Sequence, residues 1–133
     1  TVGHFLKNIN YTMKHNERDV LREKSFAFAV RMLKLNRYLT EEKREFVISN
    51  QLLRAGTNPG AMVREAAYAE SADDFIHKLA IARKEINESM YWLDLLFSVQ
   101  ILSEIEHHSA INDAEEIARL LTSSIKTKRS NKK

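Results

Sequence analysis

The stretch QLLRAGTNPGAMVREAAYAES, residues 51–71, contains one proline and two glycines but otherwise has the pattern of a single helix. Small and apolar residues recur three or four positions apart, a spacing that places them on one helical face. This face consists of Ile48, Leu52, Ala55, Pro59, Met62 and Ala66. Because the spacing keeps its phase on both sides of Pro59, we predict that the proline kinks the helix without ending it.

Small residues surround this proline. Ala55, Gly56, Gly60 and Ala61 would allow the backbone of a second helix to come close. Each glycine costs about 1 kcal/mol relative to alanine inside a helix, so packing has to outweigh this local preference. We therefore predict that residues 55–61 form a close contact between two helices.

Three other stretches have the same helical spacing. They predict a first helix over residues 19–39, a third helix that runs to about residue 99, and a fourth helix over residues 103–125. A break of the fourth helix near Asn112 is the alternative. The predicted core positions are Leu21, Ser25, Phe28, Met32, Leu35 and Leu39 in the first, Phe75, Leu79, Ala82, Ile86, Met90, Leu93 and Phe97 in the third, and Ile111, Ala114, Ala118, Leu121 and Ile125 in the fourth.

Helix starts can be placed from capping residues. Thr40, followed by two glutamates, is typical of an N-cap and predicts a second helix over residues 41–69. Ser71 is the predicted N-cap of the third helix. Ser103 and Glu106 form a capping box for the fourth helix. Links this short make consecutive helices antiparallel neighbours.

Composition supports the same fold. Three glycines and one proline among 133 residues are too few for a turn-rich β fold. We predict an all-α protein, an up-down-up-down antiparallel four-helix bundle over residues 18–127, with a flexible N-terminal leader (1–17) and a basic C-terminal tail (128–133). The chain has no cysteine, which excludes disulfides and thiolate zinc sites. It has no apolar run of membrane-spanning length, so we expect a cytoplasmic protein without a membrane partner.

The positive charge is concentrated at one end. The net charge is +3, and the last eight residues carry +5, which leaves −2 for the rest. Such a cluster attracts the phosphate backbone of nucleic acids, although a frayed, solvated terminus is the alternative. The predicted nucleic-acid contacts are Lys126, Lys128, Arg129, Lys132 and Lys133, with Arg83 and Lys84 as further candidates.

A second apolar stripe lies on the third helix, opposite its core face. It consists of Ile81, Trp92, Leu95 and Val99, with Lys84 and Glu88 in the same row. A monomer would expose an unusually large apolar patch here, so we predict a homo-oligomer, while uneven packing within one chain is the alternative. Arg54 and Glu65 form a polar edge on the second helix and are further candidates for the oligomer interface. We expect each to meet a partner on another helix or subunit, while a solvated polar edge is the alternative.

The sequence does not support catalysis or a bound metal. Glu104 with His107, and Asp74 with His77, resemble the spacing of bundle metal ligands. However, the two histidines would lie roughly 28 Å apart along an antiparallel pair and could not share an ion. No nucleophile has a matching base, and no glycine-rich loop follows a strand. We therefore predict a non-enzymatic protein without cofactor or metal.

The central half of the chain resembles a family of small four-helix-bundle proteins named for rRNA intervening sequences. The matching elements are Gln51, Leu52, Arg54 and Ala55, then Gly60, Ala61, Val63 and Glu65, then Asp74, Phe75, Ile76, Leu79 and Ala82, and finally Glu88. This family also includes the accessory variability determinant of diversity-generating retroelements. The chain departs from the family pattern at Met62, where asparagine is usual, and at Pro59.

The resemblance implies a bundle that assembles as a ring, often a homopentamer, and has no enzymatic activity of its own. Family members with a known role bind nucleic acid and a reverse transcriptase. Two functions therefore follow as expectations. The first is an oligomeric accessory protein that binds RNA or DNA and partners a reverse transcriptase. The alternative is a structural or scaffolding homo-oligomer without nucleic-acid binding.

Overall fold

The structure is a computed structural model and describes residues 17–131. The four helices are α1 (Glu17–Glu41), α2 (Val47–Ala66), α3 (Ala72–Ser98) and α4 (Glu104–Asn131). Most of the predicted N-terminal leader lies outside the described residues. Within residues 17–131, none of the helices has both the length and the apolar character of a membrane span.

Polar contacts between neighbouring helices show that they run antiparallel. Asn36 of α1 donates a hydrogen bond to the backbone carbonyl of Ser49, at the start of α2. Arg83 of α3 bonds Thr122 late in α4, whereas Asp94, later in α3, meets His107 early in α4. Each helix packs against two neighbours in the order α1, α2, α3, α4 and back to α1. The predicted up-down-up-down four-helix bundle is therefore confirmed.

The core follows the predicted faces closely, with a drift at the helix ends. All six predicted core positions of α1 are buried. In α3 the buried residues toward the end are Ser89, Leu93 and Leu96, so Leu93 is buried as predicted, whereas Met90 is half-buried and Phe97 is exposed. A strict seven-residue repeat drifts around a helix of 3.6 residues per turn, which explains the shift by one position. The remaining differences are of the same kind: Ser49 and Val63 are buried in α2, and Ala110, Ile117 and Ser124 in α4.

The start of α2 differs from the sequence prediction. Thr40 is not an N-cap, because it lies in the last turn of α1 and donates a hydrogen bond to the Arg37 carbonyl. The side chain of Glu45 instead accepts hydrogen bonds from the backbone N–H groups of Val47, Ile48 and Ser49. A carboxylate at a helix N-terminus satisfies unpaired donors and complements the dipole, so α2 begins at Val47.

The α2 helix continues through Pro59, as predicted, and ends at Ala66 rather than at residue 69. Pro59 is fully buried, and the glycines Gly56 and Gly60 face α1. A Cβ atom on Gly56 would overlap Cγ of Met32, and one on Gly60 would lie 3.3 Å from the Ser25 carbonyl oxygen. The predicted close contact between two helices is therefore present at Gly56 and Gly60, whereas Ala61, which was predicted to belong to it, is exposed.

The α4 helix is longer and more regular than the sequence prediction. Ser103 caps it by accepting a hydrogen bond from the backbone N–H of Glu106 (3.2 Å), as predicted. The helix shows no break near Asn112 and extends past Ile125 to Asn131. The basic residues from Lys126 to Arg129 are consequently helical, so their side chains leave the backbone in fixed directions.

Candidate nucleic-acid interface

A groove lies on the surface between α3 and α4 and has a volume of about 530 Å³. Its floor is apolar, with Met90 and Ala118, while Arg83, Arg119 and Lys126 supply positive charge and Glu115 a single negative charge. The hydroxyls of Thr122 and Ser123 complete the lining. We call this feature the basic groove.

Helical spacing explains why these residues meet. Glu115, Arg119, Thr122 and Lys126 recur at intervals of four, three and four, so they share one face of α4. Because α3 runs antiparallel, Arg83 lies level with Thr122. The side chains of Arg119 and Lys126 are exposed and extend to solvent, so the groove stays open.

Two hydrogen bonds fix the position of Arg83 in the groove. Its Nε donates to Oγ1 of Thr122 across the helix pair (3.1 Å), and its Nη1 donates to Oδ1 of Asn87 one turn along α3 (2.7 Å). Both partners are neutral, so the guanidinium keeps its full positive charge and has donors left for an anion.

Only some of the basic residues predicted to contact nucleic acid line the basic groove. Arg83 and Lys126 line the same groove, whereas Lys84 is exposed on a neighbouring face of α3. The Lys128 ammonium lies 5.1 Å from the centre of the Phe75 ring, a cation–π contact that ties the end of α4 to α3. Arg129 is exposed, and Lys132 and Lys133 lie outside the described residues.

Arg119 lines the groove but was not predicted from the sequence. Arg119 and Lys126 are separated by seven residues, or two helical turns, and therefore lie on one face. The charge cluster at the chain end, on which the sequence prediction rests, begins only at Lys126. Charged residues at helical spacing are the signal that would have identified Arg119.

The polar residues predicted at an oligomer interface have partners within the chain. Arg54 forms ion pairs with Glu88 and with Glu85 of α3, the latter at 3.1 Å. Glu65 pairs with Lys78 at 3.6 Å. These contacts lie between α2 and α3, so the predicted partner on another helix is found. In each pair one side chain is about half exposed to solvent, so each pair contributes little to stability.

The predicted apolar stripe on α3 is covered only in part. Ile81, Trp92 and Leu95 are half-buried, whereas Val99 is 63% exposed. The indole N–H of Trp92 donates to Glu88 (3.1 Å), which satisfies its polar edge. Phe26 and Leu33 on α1 are also exposed. The single chain therefore leaves apolar surface on the outer faces of both helices.

Other ionisable groups hold the bundle together. Burial of Arg31 opposes its charge, but hydrogen bonds to Glu106 and Asp113 outweigh this effect and raise the pKa of the guanidinium. His107 bonds Asp94 at 2.8 Å and stacks on Phe97 with ring centres 4.4 Å apart. His77 is exposed. Within residues 17–131, no group of three or more histidine or acidic side chains is arranged to hold a metal ion.

Comparison with known proteins identifies the family. The family model described as 23S rRNA-intervening sequence protein matches residues 17–123, which include most or all of each helix. The chain belongs to the 23S rRNA-intervening sequence protein family. The match ends shortly before Lys126, so it includes Arg83 and Arg119 but not the last turns of α4.

A solved structure has the same fold as this chain. The chain is similar to a crystal structure of a protein of unknown function from the S23 ribosomal protein family of Bacteroides thetaiotaomicron, with 47% sequence identity and a TM-score of 0.83. The similarity covers 84% of this chain and 99% of the other. No curated protein matches the chain.

Proposed function

We propose that this 23S rRNA-intervening sequence protein is a non-enzymatic, oligomeric accessory protein that binds nucleic acid through the basic groove. The observation that carries the proposal is the meeting of Arg83, Arg119 and Lys126 in one groove with a single acidic residue. Lys126 belongs to the basic chain end, and the other two come from the middle of α3 and of α4. The helices hold all three as one surface.

Phosphate neutralisation is the mechanism that this groove supports. Arginine and lysine side chains at the rim displace counterions from a nucleic-acid backbone, which favours binding at low salt. Such contacts fix position and orientation on the strand rather than reading sequence. In a ring of identical subunits, several weak grooves on one body gain affinity together. A cytoplasmic location and a reverse-transcriptase partner, as in the accessory variability determinant, belong to the same proposal.

Binding of a labelled RNA, followed by fluorescence anisotropy over a range of salt concentrations, tests this function. We expect affinity to fall steeply with salt for the natural chain. The variant Arg119→Gln/Lys126→Gln should bind more weakly, and its salt dependence should be shallower by a slope of about one for each phosphate that is no longer neutralised.

Lys34→Gln/Arg37→Gln provides the matched control, because it removes the same charge from exposed positions on α1. The control should retain most of the affinity. The proposal fails if the natural chain does not bind RNA at low salt, or if both double variants weaken binding equally.

The alternative function, a scaffolding homo-oligomer without nucleic-acid binding, is favoured by the exposed apolar residues of α1 and α3. Val99→Asp places a charge on the α3 stripe and should dissociate the assembly in sedimentation velocity. Val47→Asp makes the same change at an equally exposed site at the start of α2 and should leave it intact. An assembly that depends on Val99, together with no binding of RNA or DNA at low salt, would favour this alternative.

A further inference from the structure

An exposed aromatic ring lies on the same ridge of α3 as the arginine of the basic groove. Arg83, Asn87 and Tyr91 are spaced by four residues each, so they follow one another along the helix surface. Tyr91 is 56% exposed. Its ring makes an edge-to-face contact with Trp92, with centres 5.0 Å apart, and this contact restricts the orientation of the ring.

The charges of the groove are unevenly distributed along its length. The bond from Arg83 to Thr122 fixes the register of the antiparallel pair, so residues later in α3 lie opposite residues earlier in α4. Lys126 and Arg83 therefore lie toward one end and Arg119 near the middle. Glu115 lies at the other end, level with Met90 and Tyr91. The lining of the groove thus changes from cationic to acidic and apolar, and Tyr91 lies beside this second end on the exposed surface of α3.

These two ends suit different parts of a nucleotide chain. Cations at one end bind phosphate, whereas Glu115 at the other end repels it. A carboxylate there can accept hydrogen bonds from the N–H groups of a base edge, and an exposed aromatic ring offers a face for base stacking. Arg83 and Tyr91 are separated by about 12 Å along the helix axis, so one strand can contact both.

We propose that the basic groove binds a single-stranded nucleic acid, with phosphates at Arg83, Arg119 and Lys126 and an unpaired base stacked on Tyr91. A duplex would present phosphate to Glu115 and would keep the faces of its bases inside the stack. This inference rests on the proposed function, since it assumes that the groove binds nucleic acid, and it specifies the class of strand.

The test compares a labelled 12-nucleotide oligouridine with an RNA duplex of the same length at low salt. We expect the single strand to bind more tightly. Tyr91→Ala should weaken binding of the single strand by about 5- to 150-fold and leave duplex binding unchanged, since stacking of one base has that magnitude. Tyr91→Phe keeps the ring and should bind within about twofold of the natural chain.

Tyr68→Ala is the control for removal of an exposed tyrosine, because Tyr68 is 89% exposed in the link between α2 and α3. It should not change binding. Equal affinity for duplex and single strand, or an unaffected Tyr91→Ala variant, would overturn this inference while the Arg119→Gln/Lys126→Gln result still supported the proposed function. A Tyr91→Ala chain with an altered sedimentation coefficient would place Tyr91 in a subunit contact and also overturn it. If the natural chain binds neither probe, both proposals fail.

Discussion

Two helix pairs of this bundle, α1 with α2 and α3 with α4, differ in how closely the helices approach each other. Between α1 and α2, glycines bring the backbones together, and a Cβ atom at Gly56 would overlap the side chain of Met32. Between α3 and α4, arginine and lysine side chains border an open groove of about 530 Å³. At Gly56 the first pair has no room for an added atom, whereas the second pair has room for a ligand along its groove.

This difference shows how residue size divides the surface of a simple bundle. Small residues at the contact position let two helices approach, and the resulting packing leaves no room for further atoms. Long charged residues at the edge of a pair extend to solvent and leave a groove beside a fully packed core. Stability should therefore respond strongly to atoms added at the contact of α1 with α2, and binding to changes at the groove between α3 and α4.

The largest expected effect is that of Gly56→Leu, which inserts a side chain where even a Cβ atom meets Met32. Overpacking of a filled core should lower the free energy of unfolding by about 3 kcal/mol, measured by urea denaturation. The control Ala61→Leu adds the same side chain at an exposed position of the same helix and should change stability by less than about 0.5 kcal/mol. Equal destabilisation of both variants would contradict the close packing of α1 on α2.

The helix caps at the starts of α2 and α4 provide a second comparison, with smaller expected effects on stability. Glu45→Ala removes a carboxylate that accepts three backbone hydrogen bonds, and should cost about 1–2 kcal/mol of unfolding free energy in the same urea measurement. Ser103→Ala removes a cap with one such bond and should cost about 1 kcal/mol or less. Glu42→Ala, an exposed acid in the same region of the chain as Glu45, is the control. A Glu45→Ala chain as stable as this control would rule out Glu45 as the cap.

The smallest expected effect on stability comes from Thr122→Val in the basic groove. Thr122 is exposed, so removal of its bond with Arg83 should change the free energy of unfolding by less than about 0.5 kcal/mol. The same variant should weaken RNA binding by a fewfold, since Arg83 is then no longer anchored on α4. Thr127→Val makes the same change at an exposed position of α4 outside the groove lining, and it should leave affinity unchanged. A Thr122→Val chain that is destabilised but binds RNA as tightly as the natural chain would contradict our assignment of the groove.

The sequence predicts the fold well because helical periodicity is a strong local signal. Every core position predicted in α1 is buried, and the unusual segment around Pro59 is a close contact. The errors lie at the ends. Thr40 has the residue type of an N-cap, but Glu45 competes with it through three hydrogen bonds, and only the folded link shows which of them begins α2.

The candidate site is harder to predict from the sequence than the fold, because it depends on which residues of α3 lie opposite which residues of α4. Lys126 was found by its place in a charged chain end and Arg83 by its type, but nothing local indicates that they share a groove. The pairing of Arg83 with Thr122 brings Arg83 beside the face of α4 that carries Lys126 and, by helical spacing alone, Arg119. The partners of Arg54, which are Glu85 and Glu88, could not be assigned from the sequence for the same reason.

Chemical footprinting of lysines tests the central claim most directly. The natural chain is acetylated with and without a single-stranded RNA, and modification of each lysine is measured by mass spectrometry. Lys126 in the basic groove and Lys34 on α1 are both exposed, so they serve as a matched pair. Our account predicts that RNA protects Lys126 and leaves Lys34 unchanged. Protection of Lys34 with an unprotected Lys126 would contradict it.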